Sequence, residues 1–132
     1  MPGTAILVVE DERIVATAIG HALRFLGYSL AGIADSAEQA VQMAGELQPD
    51  LVLMDIRLRG QDAGLTAAVE IQEQLDIPVV YLTAYADRGM VERANQTEPY
   101  GYLVKPFKQS DLRSAIDGAL ARHRSQRELG GT

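Results

Sequence analysis

Apolar and polar positions along this chain follow two alternating periods. Residues 5–9, Ala-Ile-Leu-Val-Val, form a continuous β-rich run, as expected of a strand buried on both faces. Over 12–26 the apolar positions Val15, Ile19, Ala22, Leu23 and Leu26 fall on one helical stripe, and Gly27 supplies the stop. A second strand is expected over 29–34. Ser36 followed by Gln39 is a capping-box pattern that opens a helix to Leu47. After Pro49-Asp50 comes a strand over 51–54, then a loop over 57–64 and an Ala-, Glu- and Gln-rich helix over 65–75. Pro78 opens a strand over 79–82, a shorter helix follows over 87–96, and Pro99 precedes a strand over 102–104. The last helix is expected from Ser110 to about Arg124, with Leu112, Ala115, Ile116, Ala119 and Leu120 on one face. Residues 125–132 read as a frayed tail or linker stub beyond a domain of 1–124. Five β-α units without a repeat predict a three-layer α/β sandwich around a five-stranded parallel sheet. In such sheets the reactive groups gather at the carboxyl ends of the strands.

Composition narrows the reading. A chain of 132 residues, 47% hydrophobic, is one ordinary globular domain. The formal net charge of -6 argues against a general nucleic-acid binder, because phosphate backbones need basic patches. Without cysteine there is neither a disulfide nor a thiolate metal site. Residues 1–9 carry no basic run and too short an apolar stretch for a signal peptide, and no apolar run is long enough to span a bilayer. The expectation is a cytoplasmic protein with no membrane partner and no direct contact with nucleic acid.

The chemistry sits at the strand ends. Glu10-Asp11 follow the first strand, Asp55 ends the third, Thr83 the fourth and Lys105-Pro106 the fifth. Taken singly, an Asp after a strand is a cap or turn residue, and a Lys is a solvated charge. Together they bring three carboxylates, a hydroxyl and an ammonium to one edge. Two carboxylates about 4 Å apart repel by about 4 kcal/mol at an effective dielectric near 20, so the cluster needs a cation. All-oxygen ligands suit Mg²⁺ or Mn²⁺. Asp55 can then act as a nucleophile of the aspartyl-phosphate kind, with Lys105 neutralising the transferring group.

The ordered set VVEDE (8–12), LVLMDIRL (51–58), VVYLTAY (79–85) and GYLVKPF (101–107) resembles the receiver domain of two-component response regulators, chemotaxis-regulator-like, over nearly the whole chain. The resemblance implies a flavodoxin-like sheet of order 2-1-3-4-5 and a signalling phosphoacceptor rather than a separate enzyme. It implies Asp55 as phosphoacceptor, with Asp11, Asp55 and the backbone carbonyl of Arg57 as Mg²⁺ ligands and Glu10 holding the ion directly or through water. Lys105 would contact the phosphoryl group. Thr83 would be the switch hydroxyl with the Ala84 N–H, and Tyr102 the switch aromatic. The Lys105–Pro106 bond would be cis, and Arg57 and Tyr85 would tune dephosphorylation. The donor would be a histidine kinase or phosphotransfer protein docking beside Ile14 and Ala18, which lie off the core stripe of the first helix. Output would pass to a downstream protein, or to a second copy through a mixed-charge face holding Arg88, Glu92, Arg93, Lys108, Asp111, Arg113 and Asp117. The first acid pair here is Glu-Asp where the family often has Asp-Asp.

Three other readings compete. A haloacid-dehalogenase-like phosphatase would place a second Asp two residues after the nucleophile, where Arg57 stands. A flavodoxin-like cofactor binder needs a phosphate-cradling loop where Glu10-Asp11-Glu12 would repel phosphate. A scaffold receiver that is never phosphorylated would not need the acid, Thr and Lys set.

Overall fold

Five strands, β1 (Ala5–Val9), β2 (Ser29–Ala34), β3 (Leu51–Asp55), β4 (Val79–Ala84) and β5 (Gly101–Lys105), form one sheet in the order β2-β1-β3-β4-β5. Every neighbouring pair is parallel. This computed structural model describes residues 3–58, 63–84 and 88–130. Tyr85, Asp87 and the side chain of Arg88 lie outside the described residues. The helices are α1 (Arg13–Phe25), α2 (Ala37–Leu47), α3 (Ala63–Leu75), α4 (Arg88–Asn95) and α5 (Gln109–Gly130). The expected layers and strand order are both present.

The two-residue strand period divides the interior into two cores. Ile6, Val8, Leu53, Val80 and Leu82 pack with Ala16, Ile19 and Leu23 of α1 and with Leu112 and Ile116 of α5. Leu7, Val9, Val52, Met54 and Tyr81 face the other way, onto Ala40 and Ala44 of α2 and Ala68 and Ile71 of α3. The three inner strands are therefore apolar on both faces, which is why their sequences are unbroken runs.

Local signals fix the helix ends. At the end of α1 the Tyr28 N–H donates to Leu23 O (2.9 Å) and the Gly27 N–H to Arg24 O (3.0 Å), with Gly27 at φ 96°. That is a Schellman stop, and the left-handed residue is the glycine. Ser36 caps α2 by accepting from the Gln39 N–H at 3.1 Å. The return bond from Gln39 reaches the Asp35 N–H (2.7 Å), one residue earlier than the usual box.

α5 departs from expectation. It runs to Gly130 rather than ending near Arg124, so residues 125–129 are helical and not frayed. No Gly or Pro interrupts Ser125 to Leu129, and the added turns have partners. The Tyr100 hydroxyl donates to Gln126 (2.7 Å), while Asp76 meets His123 (3.0 Å) and Arg127 (3.4 Å).

Register aligns the reactive edge. Val9 pairs with Met54, Asp55 with Leu82, Thr83 with Val104 and Ala84 with Lys105. The residues that end β3, β4 and β5 are thus brought level, beside the two acids that follow β1.

Candidate functional site

Glu10, Asp55 and Thr83 are the buried polar residues of the described chain. Glu10 leaves β1 with its N–H still bonded to Ala34 O of β2 (2.9 Å), which holds its Cα at the sheet edge. One carboxylate oxygen accepts from the Glu12 N–H at 3.2 Å. The other accepts from Lys105 Nζ at 2.9 Å. Asp55 Oδ1 accepts from the Arg57 N–H at 3.0 Å, and Oδ2 lies 3.5 Å from the same Lys105 Nζ. One ammonium therefore serves two buried carboxylates, and its preference is for Glu10.

Charge in this setting is costly, and the proton affinities record it. Burial pushes the Asp55 carboxyl up to about 7, and the neighbouring Glu10 charge adds to the rise. The Arg57 N–H and Lys105 oppose it without cancelling it. Burial alone would lower Lys105, but its hydrogen bond to Glu10 and the charges of both acids outweigh that, and its pKa is raised.

Carboxylate oxygens of Glu10, Asp11 and Asp55 lie within 4.8 Å of one another. Among the described residues, three carboxylates thus gather around a partly buried, all-oxygen pocket, with Lys105 bonded to two of them. That donor set fits a small hard divalent cation.

The other residues singled out in the sequence fall as follows. Thr83 is buried at the end of β4 and donates to Ala84 O (3.2 Å). The Lys105–Pro106 bond is cis. Tyr102 is half-buried, and its hydroxyl donates to Asn95 Oδ1 at the end of α4. Arg57 is exposed. Ile14 and Ala18 are both exposed, Ile14 at 84%, and they line a mostly apolar groove with Pro106 and Phe107 beside Lys105.

Two charges are not where the sequence reading put them. Arg113 donates to Leu26 O (2.9 Å), and Asp117 accepts from the Tyr28 hydroxyl (2.6 Å). Both fasten α5 to the α1–β2 corner, away from the α4–β5–α5 face. Burial and Asp117 together raise the Tyr28 phenol strongly. Sequence reasoning also passed over Tyr81, whose hydroxyl meets Thr97 Oγ1 (2.9 Å) and whose ring lies 5.9 Å from that of Tyr102. Inside an apolar run nothing marks a tyrosine as polar. Asn95 and Gly64 gave no signal beyond helix end and loop.

A parallel five-stranded sheet with this acid, hydroxyl and lysine set at its carboxyl edge defines a phosphoacceptor module. The family model of the response regulator receiver domain matches residues 6–117, and the chain belongs to that family. The chain is 40% identical to the transcriptional regulatory protein PdtaR of Mycobacterium tuberculosis over 126 residues, 96% of this chain and 61% of PdtaR. It is 32% identical to the phyllosphere-induced regulator PhyR of Methylorubrum extorquens, over 94% of this chain and 46% of PhyR. The chain thus spans 61% and 46% of the lengths of these two curated relatives. Among solved structures, the signal receiver domain of a modulated diguanylate cyclase from Desulfovibrio desulfuricans superposes with a TM-score of 0.85 at 33% identity, over 92% of this chain and 97% of that one. Response regulators receive phosphate from histidine kinases, and receiver domains bind Mg²⁺ at an acidic pocket of the kind found here. Family membership removes the haloacid-dehalogenase and flavodoxin-like cofactor readings. Among the described residues no helix is long and apolar enough to cross a membrane.

Proposed function

We propose that Asp55 accepts a phosphoryl group from a histidine kinase or phosphotransfer protein in a Mg²⁺- or Mn²⁺-dependent reaction. The observation that carries this is Lys105 Nζ, placed between Glu10 (2.9 Å) and Asp55 (3.5 Å) at the strand ends. An Asp55 oxygen attacks phosphorus, the phosphorus–nitrogen bond of the donor phosphohistidine breaks, and the imidazole leaves and is protonated. The Arg57 N–H fixes one Asp55 oxygen, which leaves the other to react on the Lys105 side. Glu10, Asp11, Asp55 and the Arg57 carbonyl would hold the cation, which supplies charge neutralisation for the phosphoryl oxygens. Lys105 contributes the second positive charge, within reach of the same oxygens.

The readout follows from Thr83. With phosphate on Asp55, the Thr83 hydroxyl and the Ala84 N–H turn to its oxygens, and Tyr102 moves into the space that Thr83 vacates. The α4–β5–α5 face then changes for a protein target or a second copy, through Glu92, Arg93, Lys108 and Asp111. Pro106 and Phe107 with Ile14 and Ala18 form the donor's docking groove, and Arg57 and Tyr85 set the lifetime of the acyl phosphate. The receiver itself takes no nucleic acid and acts in the cytoplasm. Any nucleic-acid contact, such as the names of transcriptional and DNA-binding relatives carry, belongs to parts of a longer protein. The expected boundary at 124 falls inside α5, and the turns past it belong with the domain because Gln126 and Arg127 are tied back to Tyr100 and Asp76.

Mass spectrometry after incubation with phosphoramidate or acetyl phosphate and Mg²⁺ tests the reading. One phosphoryl adduct is expected, lost in Asp55→Asn and without metal. Equal labelling of the Asn variant overturns it.

A further inference from the structure

α3 starts against the backbone of the acceptor. Gly64, its second residue, is buried, and a Cβ built on it falls 2.7 Å from Asp55 O and 3.5 Å from both Ile56 O and Met54 Cγ. The first distance is well inside contact, and what it meets is a peptide carbonyl, which cannot rotate aside as a side chain can. The φ of Gly64 is not positive, so its backbone conformation is open to any residue. What glycine provides here is close approach. Other helical glycines differ: a Cβ on Gly45 or Gly89 meets nothing within 4 Å.

The peptide that Gly64 touches is held from the other side. Asp55 pairs with Leu82, and the Ile56 N–H donates to Leu82 O at 3.0 Å. A methyl at 64 can be accommodated only if the start of α3 backs away or the Asp55–Ile56 peptide tips. Either movement reaches the carboxylate, because its Oδ1 is oriented by the Arg57 N–H in the same turn (3.0 Å). Arg57 is also the residue whose carbonyl is assigned to the cation.

We propose that Gly64 is a positioning residue for the acceptor: its missing side chain lets α3 seat on the Asp55–Ile56 peptide and so aims the Asp55 carboxylate at the acid pocket and Lys105. This rests on the assignment of Asp55 given above. A purely structural role would predict only lost stability.

The test uses Gly64→Ala in the full chain, beside Ile71→Val, a buried change farther along α3, with both assayed well below their melting temperatures. Three readouts are taken: the Arg57 amide resonance and its hydrogen exchange in metal-free protein, Mg²⁺ affinity, and the rate of adduct formation from phosphoramidate at saturating Mg²⁺. Gly64→Ala is expected to shift the Arg57 amide, weaken Mg²⁺ severalfold and slow the adduct by about tenfold or more, since sub-ångström misplacement of a reacting group has effects of that order. Ile71→Val should lower the melting temperature and leave all three unchanged. A Gly64→Ala protein within about twofold of wild type in rate and affinity, or an Ile71→Val protein with the same losses, overturns the proposal. Should Gly64→Ala alone fail to fold, it is placed on Gly45→Ala, an open helix position where alanine strengthens the helix. Failure to fold there too makes Gly64 a folding residue and overturns the proposal. If the wild type takes no phosphoryl group, the reading of Asp55 fails, while the metal-free Arg57 amide still decides whether Gly64 orients that carboxylate.

Discussion

The hydroxyl of Tyr102 is bonded to the side chain of Asn95, the last residue of α4. Beneath it, Tyr81 pairs with Tyr102 across the β4–β5 ladder and lies on the same face of β4 as Thr83. Thr97 donates its hydrogen to Ala94 O (2.6 Å), so at Thr97 Oγ1 it is Tyr81 that donates. Two tyrosines on adjacent strands thus hold the end of α4 through Asn95 and Thr97. Tyr102 cannot turn toward Thr83 without giving up Asn95.

Asn95→Ala is therefore expected to loosen Tyr102, leaving its hydroxyl the longer contact to Val91 O (3.5 Å), and to favour the phosphorylated arrangement. One hydrogen bond contributes about 0.5–1.5 kcal/mol, or about 2- to 12-fold in the balance of states. The rate of adduct formation from phosphoramidate should rise within that range, and Tyr102→Phe should do the same through the lost hydroxyl. An unchanged or slower rate in both variants would show that the bond does not restrain the switch.

Asp55→Asn should stabilise the metal-free protein, and the gain should depend on pH. The Asp55 pKa is raised from its ordinary 3.8 to about 7 on folding, so over that interval the folded state holds a proton that the unfolded state has lost. Stability contributed by this group falls as pH rises from about 4 to about 7, and above that the full penalty of a buried charge remains. Thermal unfolding in chelator at pH 8 should show the Asn variant ahead by roughly 1–2 kcal/mol, allowing for solvent screening at the open edge, and by much less near pH 4. A gain that is constant across this range would remove the titration of Asp55 as its source.

Lys105→Met should lower the rate of phosphoryl uptake and also leave Glu10 and Asp55 without their shared cation. Removing one partner of a fully buried pair costs about 3–5 kcal/mol. Lys105 retains 25% side-chain exposure, so about 1–2 kcal/mol is expected in the absence of metal. Added Mg²⁺ should raise the melting temperature of this variant more than that of the wild type. An equal rise in both would mean that Lys105 does not share the compensation of the pocket.

Ile14→Asp should slow transfer from a phosphorylated histidine donor while leaving labelling by phosphoramidate intact. The side chain is 84% exposed, so fold stability should change by less than about 0.5 kcal/mol. Loss of both activities, or of neither, would count against a docking groove beside Pro106 and Phe107.

The placement of the site was legible in the sequence because a buried parallel strand is an unbroken apolar run. The first polar residue after such a run marks the sheet edge: Glu10, Asp55, Thr83 and Lys105 are those residues. What escaped notice depends on tertiary contact. Arg113 and Asp117 look like any exposed helical pair until the α1–β2 corner, with Leu26 O and Tyr28, comes within reach. The closeness of Gly64 to Asp55 O joins two elements and leaves no local trace. The length of α5 was underestimated because Ser125 to Glu128 are polar, whereas their helicity is supported from outside by Tyr100 and Asp76.

That longer α5 gives the domain an asymmetric skeleton. Its 22 residues make a rod of ~33 Å. The rod begins just past Pro106 at the reactive edge, is pinned in its first half by Arg113 and Asp117, and is bolted near its far end to Asp76 on the opposite rim. It acts as a beam fixed at three points, and a push at the phosphoryl site meets stiffness in that direction. α4 is more like a hinged flap: of its described side chains only Ala94 is buried, and its described hydrogen bonds to β5 and the following loop lie from Val91 onward. Mechanical compliance next to the acceptor is thus concentrated on one side of β5, so displacement there is steered into α4 while the beam supplies the reaction force.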